Sequence, residues 1–424
     1  MNVLVVGGGG REHALAWKIV QSENCEKIYI APGNAGTELV GENVALDVAA
    51  HSAVVEFCEK KKIDLVVVGP EAPLVAGLAD SLTEAGISTF GPSASAARVE
   101  SEKSRAKLLM KKYGIPTASA ISFKAKDFSA ALELLKTHEY PLVLKANGLA
   151  AGKGVVICHS FVEASEALRA MMVDRIFGKA GEEVLVEEFM TGQEASVFAV
   201  TDGKDYALLP ASQDHKRVGE GDTGKNTGGM GAYAPTPVVD EETMARVEKE
   251  IIKPTIDGMR KDGTPFVGCL YAGLMLTDQG PKVVEFNCRF GDPETQAVLP
   301  LVEGDFLGLL KSAADGKLDN GNVRYSGGAS VCVVAAAGGY PDKYEKGKTI
   351  TGLDDMPDSV VVFHAGTKRE GASIVTSGGR VLGATSIVPE NDLKAAIAKA
   401  YEGIEKISFE KMYYRNDIAA KATR

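Results

Sequence analysis

The first hundred residues repeat one unit, a short apolar strand, a glycine-rich turn and a helix, and little else constrains the fold as strongly. Strands are expected at 3–6, 27–31 and 64–68. Their near-continuous Val, Leu and Ile runs fit strands buried on both faces. Helices are expected at 11–21, 51–61 and 74–85. This alternation predicts a parallel, doubly wound α/β sheet. Open sheets of that kind bind ligands at the carboxyl ends of their strands. Three glycine-rich turns stand there: 7–13, 32–37 and 69–73.

At 424 residues the chain is too long for one ordinary core, and about three domains are expected. We place them at 1–101 (doubly wound), 102–325 (a two-part nucleotide-binding unit with a smaller lid over about 120–190) and 326–424 (a small α+β domain). The apolar fraction of 45% and charged fraction of 25% are those of a soluble globular protein. A formal net charge of −10 argues against a nucleic-acid binder. No apolar run approaches the ~20 residues of a membrane helix. The chain opens directly as a strand with no basic leader, which predicts a cytoplasmic location. Its six cysteines lack metal-type spacing and read as buried free thiols.

Several stretches carry chemistry. Gly7–Gly10 suggests a dinucleotide turn, but the third glycine of G-x-G-x-x-G would fall at Glu12. A phosphate held by backbone N–H groups, with Arg11 adding charge, and a plain tight turn both remain open. Lys103 and Lys107 lie one turn apart on a helix expected within 100–120, where lysines are ordinarily just solvated. Residues 141–158 read as strand, glycine-rich loop, strand. The first strand ends in Lys145 and the loop holds Gly148, Gly152, Lys153 and Gly154, a pattern suited to cover triphosphate oxygens and unlike a Walker loop. An apolar strand then runs through Glu187, Glu188, Phe189 and Met190 to Glu194, a linker whose backbone suits an adenine edge. Residues 210–234 look like a long polar loop and therefore a functional one.

The stretch 282–296 ties these together. Alternation on a strand puts Glu285, Asn287 and Arg289 on one face and Val284, Phe286 and Cys288 on the other. A carboxylate and an amide two residues apart suit a hard cation such as Mg²⁺. Arg289 suits a carboxylate or phosphate. An edge strand with a wet face is the bland alternative. Beyond it, helix is expected over 295–314, and further strands and a helix to the end.

In this order, the parts resemble the ATP-grasp carboxylate–amine ligases. The segments 9–18, 31–37, 68–74, 148–154, 212–217, 226–233 and 285–296 are similar to those of the phosphoribosylamine–glycine ligases, also called glycinamide ribonucleotide synthetases. The resemblance runs from residue 2 to about 340 and more loosely to the end. It implies a reaction in de novo purine biosynthesis: ATP, glycine and 5-phosphoribosylamine give glycinamide ribonucleotide, ADP and phosphate through glycyl phosphate. It implies that Lys103, Lys145 and the 148–154 loop hold the ATP phosphates. The Glu187–Glu188–Phe189–Met190 linker meets adenine and Glu194 the ribose. Glu285 and Asn287 hold Mg²⁺ or Mn²⁺, and Arg289 meets the glycine carboxylate or oxyanion. The phosphoribosylamine falls to Gly9, Gly10, Arg11, Glu12, Gly33, Asn34, Pro70, Glu71, Asp214, Lys216, Thr227, Gly228 and Gly229. Many ATP-grasp enzymes carry another metal-binding Glu on the preceding strand, which here reads Tyr271-Ala-Gly-Leu-Met275. A monomer with transient contacts to neighbouring purine-pathway enzymes is expected. Three alternatives are another ATP-grasp carboxylate–amine ligase, a non-catalytic nucleotide sensor, and a nicotinamide oxidoreductase resting on Gly7–Gly10 alone.

Overall fold

The computed structural model describes residues 1–149 and 154–423, so Gly152 and Lys153 of the glycine loop lie outside the described residues. The N-terminal strands β1 (Asn2–Gly7), β2 (Lys27–Pro32), β3 (Glu42–Asn43), β4 (Leu65–Val68) and β5 (Thr89–Phe90) form one sheet in the order β3-β2-β1-β4-β5. All its pairs are parallel. Val3, Leu4, Val5 and Val6 are fully buried, as the unbroken apolar run implies. Helix α1 (Gly10–Ile19) follows β1. The helix expected over 74–85 is two, Glu71–Val75 and Leu78–Glu84, because Gly77 between them takes a positive φ of 89°.

Strands β6 (Ala120–Lys124), β7 (Leu142–Ala146), β8 (Val155–Cys158) and β9 (Glu183–Glu188) form an antiparallel sheet in the order β6-β9-β7-β8. Leu142 and Leu144 pack in one cluster with Leu135 and Leu168 of the covering helices, so Val143 and Lys145 take the opposite face. Strands β10 (Gln193–Asp202) and β11 (Tyr206–Leu208) begin a second antiparallel sheet.

Residues 210–234 differ from the expected loop. They carry β12 (Gln213–Asp214), β13 (Arg217–Gly219), β14 (Thr223–Asn226) and β15 (Gly231–Ala234). The Gly-Ala-Tyr-Ala sequence of β15 is too short and small-chained to signal a strand, yet all four residues are buried. The second sheet is then completed by β16 (Val267–Thr277) and β17 (Gly280–Asn287), in the order β11-β10-β16-β17. The helix expected over 295–314 is broken in two. Pro300 and the positive φ of Gly304 (92°) separate Glu294–Val298 from Phe306–Ala314, with strand β18 (Val302–Gly304) between them.

The chain closes with β19 (Val323–Tyr325), β20 (Ala329–Ala336), β21 (Val360–His364), β22 (Thr367–Glu370), β23 (Ser373–Thr376), β24 (Arg380–Val388) and a helix over Leu393–Ile404. The last large sheet runs β12-β15-β20-β24-β21, so β12 and β15 share it with the C-terminal strands. Among the described residues no helix is long and apolar enough to cross a membrane.

Candidate active site

The strand β17 is not regular. Its register against β16 shifts between Gly273 and Leu274, leaving Val284 as an extra residue. Val283, not Val284, joins Phe286 in the buried core, which corrects the simple alternation expected at 284. The bulge leaves the Val284 carbonyl to accept from Lys145 Nζ at 3.1 Å. Beyond it the alternation resumes. Phe286 and Cys288 are buried among apolar residues, while Glu285, Asn287 and Arg289 share the other parity.

Lys145 therefore links the first antiparallel sheet to β17. Its Nζ also lies 2.9 Å from Glu187 Oε2, and Lys107 Nζ lies 3.3 Å from that oxygen. Glu187 is 2% exposed, and its Oε1 has no hydrogen-bond partner among the described residues. Lys103 opens helix α2 (Lys103–Tyr113) and donates to the Gly148 carbonyl at 3.0 Å, where the glycine loop begins. Burial holds Lys103 below the ordinary lysine range, and Glu285 partly offsets this. The linker after β9 leaves Phe189 exposed and Met190 half-buried. Glu188 beside them accepts from Ser119 Oγ at 2.6 Å. Glu194, near the start of β10, lies 2.5 Å from Lys216 Nζ.

Glu285 and Asn287 test whether a divalent cation fits. Neither side chain makes a hydrogen bond with a described residue, and Asn287 is 8% exposed. Gly273 and Tyr271 stand opposite them on β16, so no carboxylate faces them there. Among the described residues no cluster of three or more His, Cys, Asp or Glu forms a metal cage. One carboxylate plus one amide oxygen suits Mg²⁺, which keeps waters and takes phosphate oxygens for its remaining positions.

Arg289 is fastened by carboxylates from two helices. Its Nε lies 3.3 Å from Glu71 Oε2, its Nη2 lies 3.2 Å from Glu100 Oε1, and Nη1 donates to Phe290 O at 3.3 Å. Three of its five N–H donors are so engaged and two remain for a ligand. Glu100 is in turn held by the Cys288 N–H at 2.7 Å. Burial pushes the Glu71 carboxyl up, but Arg289 and Arg11 outweigh it and hold the group below the usual range.

The N-terminal turn is built around Glu12. Its Oε2 accepts from Gly9 N at 2.6 Å and its Oε1 from Arg11 Nε at 2.5 Å. A Cβ on Gly7, whose φ is +126°, or on Gly69 would collide with this carboxylate. Asn34 has both amide ends engaged, by the Gly8 and His364 carbonyls and by the Gly36 and Thr37 N–H groups. Its side chain thus braces the turn against the C-terminal strands. A Cβ on Gly10 would collide with Gln296 Nε2 and force that side chain to move, and Gly33 has a positive φ of 72°. Pro70 caps the Glu71–Val75 helix.

Asp214 and Lys216 flank buried His215. Burial lifts the Asp214 carboxyl to about 7, with Lys216 drawing it back and Glu294 and Glu194 pushing it further. Burial opposes charge on Lys216, yet Glu194 and Asp214 raise it well above the lysine range. Thr227 donates its N–H and hydroxyl to Lys216 O at 2.7 and 2.9 Å and receives Gly229 N–H. Arg380 fixes the same loop from β24. Its Nη1 donates to Gly228 O at 2.8 Å, and to Asp292 O at 2.7 Å.

Sequence reasoning gave no role to Lys107, Glu100, Asp292, Glu294, Arg380 or Lys421. Lys107 had a usable signal, one turn from Lys103. Arg380, at the start of β24, and Lys421, whose Nζ donates to the Asp214 carbonyl at 3.2 Å from the last turn of the chain, had none.

The comparisons with known proteins agree in order and extent. Residues 1–100, 101–295 and 330–421 match the phosphoribosylglycinamide synthetase N domain, ATP-grasp (A) domain and C domain. The chain is 49% identical to a phosphoribosylamine–glycine ligase of Caldanaerobacter subterraneus subsp. tengcongensis, covering 99% of this chain and 100% of that one. It is 48% identical over its whole length to the bifunctional purine biosynthetic protein PUR2,5 of Pichia angusta, of which it spans 54%. A crystal structure of phosphoribosylamine–glycine ligase from Thermotoga maritima superposes with a TM-score of 0.86 at 36% identity, covering 99% of this chain and 100% of that one. With three domain matches in sequence order and relatives alike from end to end, the chain belongs to the phosphoribosylglycinamide synthetase (phosphoribosylamine–glycine ligase) family.

Proposed function

We infer that this chain is an ATP-dependent carbon–nitrogen ligase of de novo purine biosynthesis. It joins glycine to 5-phosphoribosylamine through glycyl phosphate, giving glycinamide ribonucleotide, ADP and phosphate. The observation that carries this reading is the meeting of two walls. Lys145 reaches the β17 bulge at Val284, beside Glu285, Asn287 and Arg289.

A carboxylate is a poor electrophile, so glycine must first take the γ-phosphoryl group, a step that is mainly positioning and charge neutralisation. Lys103, Lys145 and the 148–154 loop hold the phosphates in this reading. The Glu187–Met190 linker holds adenine, and Glu194 the ribose hydroxyls. Glu285 and Asn287 would hold Mg²⁺ or Mn²⁺, which when bound offsets charge on the transferring phosphoryl oxygens. The two free N–H donors of Arg289 meet the glycine carboxylate and the oxyanion that forms from it. The N-terminal glycine turn, Arg11, Glu71, Asp214, Lys216 and the 227–229 loop take the phosphoribosylamine. Closure over glycyl phosphate excludes water, which would otherwise hydrolyse it. The fused architecture of the Pichia relative supports a working proximity to another enzyme of the same pathway.

The test is ADP release from Mg-ATP with glycine and freshly formed phosphoribosylamine, omitting each in turn and offering alanine or aspartate in place of glycine. Release that needs both natural substrates is expected. Release with another acid or amine would keep the chemistry and overturn the substrates.

A further inference from the structure

Among the lysines where the two antiparallel sheets meet, Lys107 differs from Lys103 and Lys145. Its Nζ donates to Thr117 Oγ1 at 2.8 Å and to the Ala118 carbonyl at 2.9 Å, and its third N–H is left for Glu187 Oε2, 3.3 Å away. An ammonium has no fourth donor. Lys145 donates to the Val284 carbonyl and lies 2.9 Å from the same Glu187 oxygen, while Lys103 donates to the Gly148 carbonyl alone. Among the described residues, Lys103 and Lys145 thus keep N–H groups for phosphate oxygens and Lys107 keeps none.

The partners of Lys107 lie where the chain enters and leaves the lid. Residues 117 and 118 lead into β6, and Glu187 is next to last in β9, opposite Ala120 of β6 and Val143 of β7. Thr117 also bridges to Val283 of β17 and donates its hydroxyl to the Val283 carbonyl at 2.7 Å. Leu142, Leu144, Val184 and Val186 pack with the lid helices, so alternation turns Val143, Lys145 and Glu187 to the other face, where Lys145 meets β17. Glu187 is held there through one oxygen. Both lysines meet Oε2, while Oε1 is buried without a hydrogen-bond partner among the described residues. A buried acceptor without a donor is costly. Two ammoniums beside the carboxylate favour its ionised form, so Oε1 can only accept. The linker that follows takes adenine in the reading above, and the exocyclic amine of adenine is a donor of the kind Oε1 lacks.

Resting on that reading, we propose that Lys107 is a positioning residue for the nucleotide base. Its ammonium ties Glu187 Oε2 to the lid entrance and, through Thr117, to β17, and so holds Oε1 toward the 6-amino group of ATP. Lys107 itself touches neither base nor phosphates. Without it, the Glu187 carboxylate keeps Lys145 as its ion-pair partner and can rotate to offer that lysine both oxygens, which takes the acceptor away from the base.

The experiment titrates the protein by calorimetry, with Mg²⁺ present, using ATP and purine riboside triphosphate, which lacks only the 6-amino group. The unmodified protein should prefer ATP by about 10–100-fold, the worth of one charge-assisted hydrogen bond. In Lys107→Met the preference should fall to within about threefold, through lost ATP affinity with that for the analogue nearly unchanged, because the lysine and the amine act through one carboxylate. Thr117→Val removes one anchor of Lys107, leaves Glu187 untouched and should lower the same preference by a smaller factor; it serves where Lys107→Met does not fold. Equal weakening of both nucleotides would overturn the proposal, since a merely structural lysine lowers both alike. A preference unchanged in the variants would overturn it too, as would an unmodified protein that binds both nucleotides equally. Absence of ADP release from the unmodified protein with glycine and phosphoribosylamine would instead remove the ligase reading, and the titrations would still judge Lys107.

Discussion

Arg289→Lys keeps the charge and removes the fork, so it isolates what the geometry contributes. The guanidinium reaches Glu71 at 3.3 Å and Glu100 at 3.2 Å through different nitrogens. A single ammonium cannot serve both in the same arrangement, and one charge-assisted bond is lost, about 1.5–3 kcal/mol. Glu100 keeps its bond from the Cys288 N–H at 2.7 Å, so its carboxylate is not stranded and the fold should survive. Melting should therefore move by only a few degrees. The catalytic effect should be larger. Removing one preorganised donor to a developing oxyanion costs about 10²–10³ in kcat. ADP release with glycine varied at saturating phosphoribosylamine reads this directly. A kcat within about threefold of the unmodified protein, with only the glycine KM raised, would refute the reasoning, because Arg289 would then bind ground and transition states equally.

Glu285→Ala should abolish ADP formation with the melting transition intact, and near-normal turnover would sink the cation assignment. Arg380→Met should free the 227–229 loop from Asp292, raising the KM for phosphoribosylamine before glycine activation is affected, as steady-state kinetics with each substrate varied would show. Acid stability should reflect three buried histidines. Burial lowers His13 and His215 to about 3 and His364 to about 4, below the ~6.5 of an unfolded histidine. The unfolded chain therefore binds more protons below pH ~6.5, and stability falls by about 1.4 kcal/mol per pH unit for each histidine until its folded value is reached. Denaturant midpoints across pH 4–7 should flatten by one such increment in His364→Gln. An unchanged slope would contradict the burial account.

The doubly wound N-terminal sheet was legible because its strands are unbroken apolar runs bounded by glycine turns. The lysine strand and the Glu285-x-Asn287-x-Arg289 face were legible because strand alternation fixes which residues share a face. The Val284 bulge was not, since its signal lies in the register with β16 rather than in β17 itself. Nor was the role of 213–234. β13 and β14 pair with each other, while β15 joins β12 to β20, a partner about a hundred residues later. The roles of Glu12 and Asn34 follow the same logic. The family resemblance implied ligand contacts for them, and their side-chain bonds go chiefly to the turns they hold in shape.

The central claim is that glycine is activated by phosphoryl transfer to its carboxylate. Glycine labelled with ¹⁸O in that carboxylate should deliver one labelled oxygen to inorganic phosphate for each glycinamide ribonucleotide formed. Phosphate released without the label, alongside product, would mean that no acyl phosphate forms and would contradict the account.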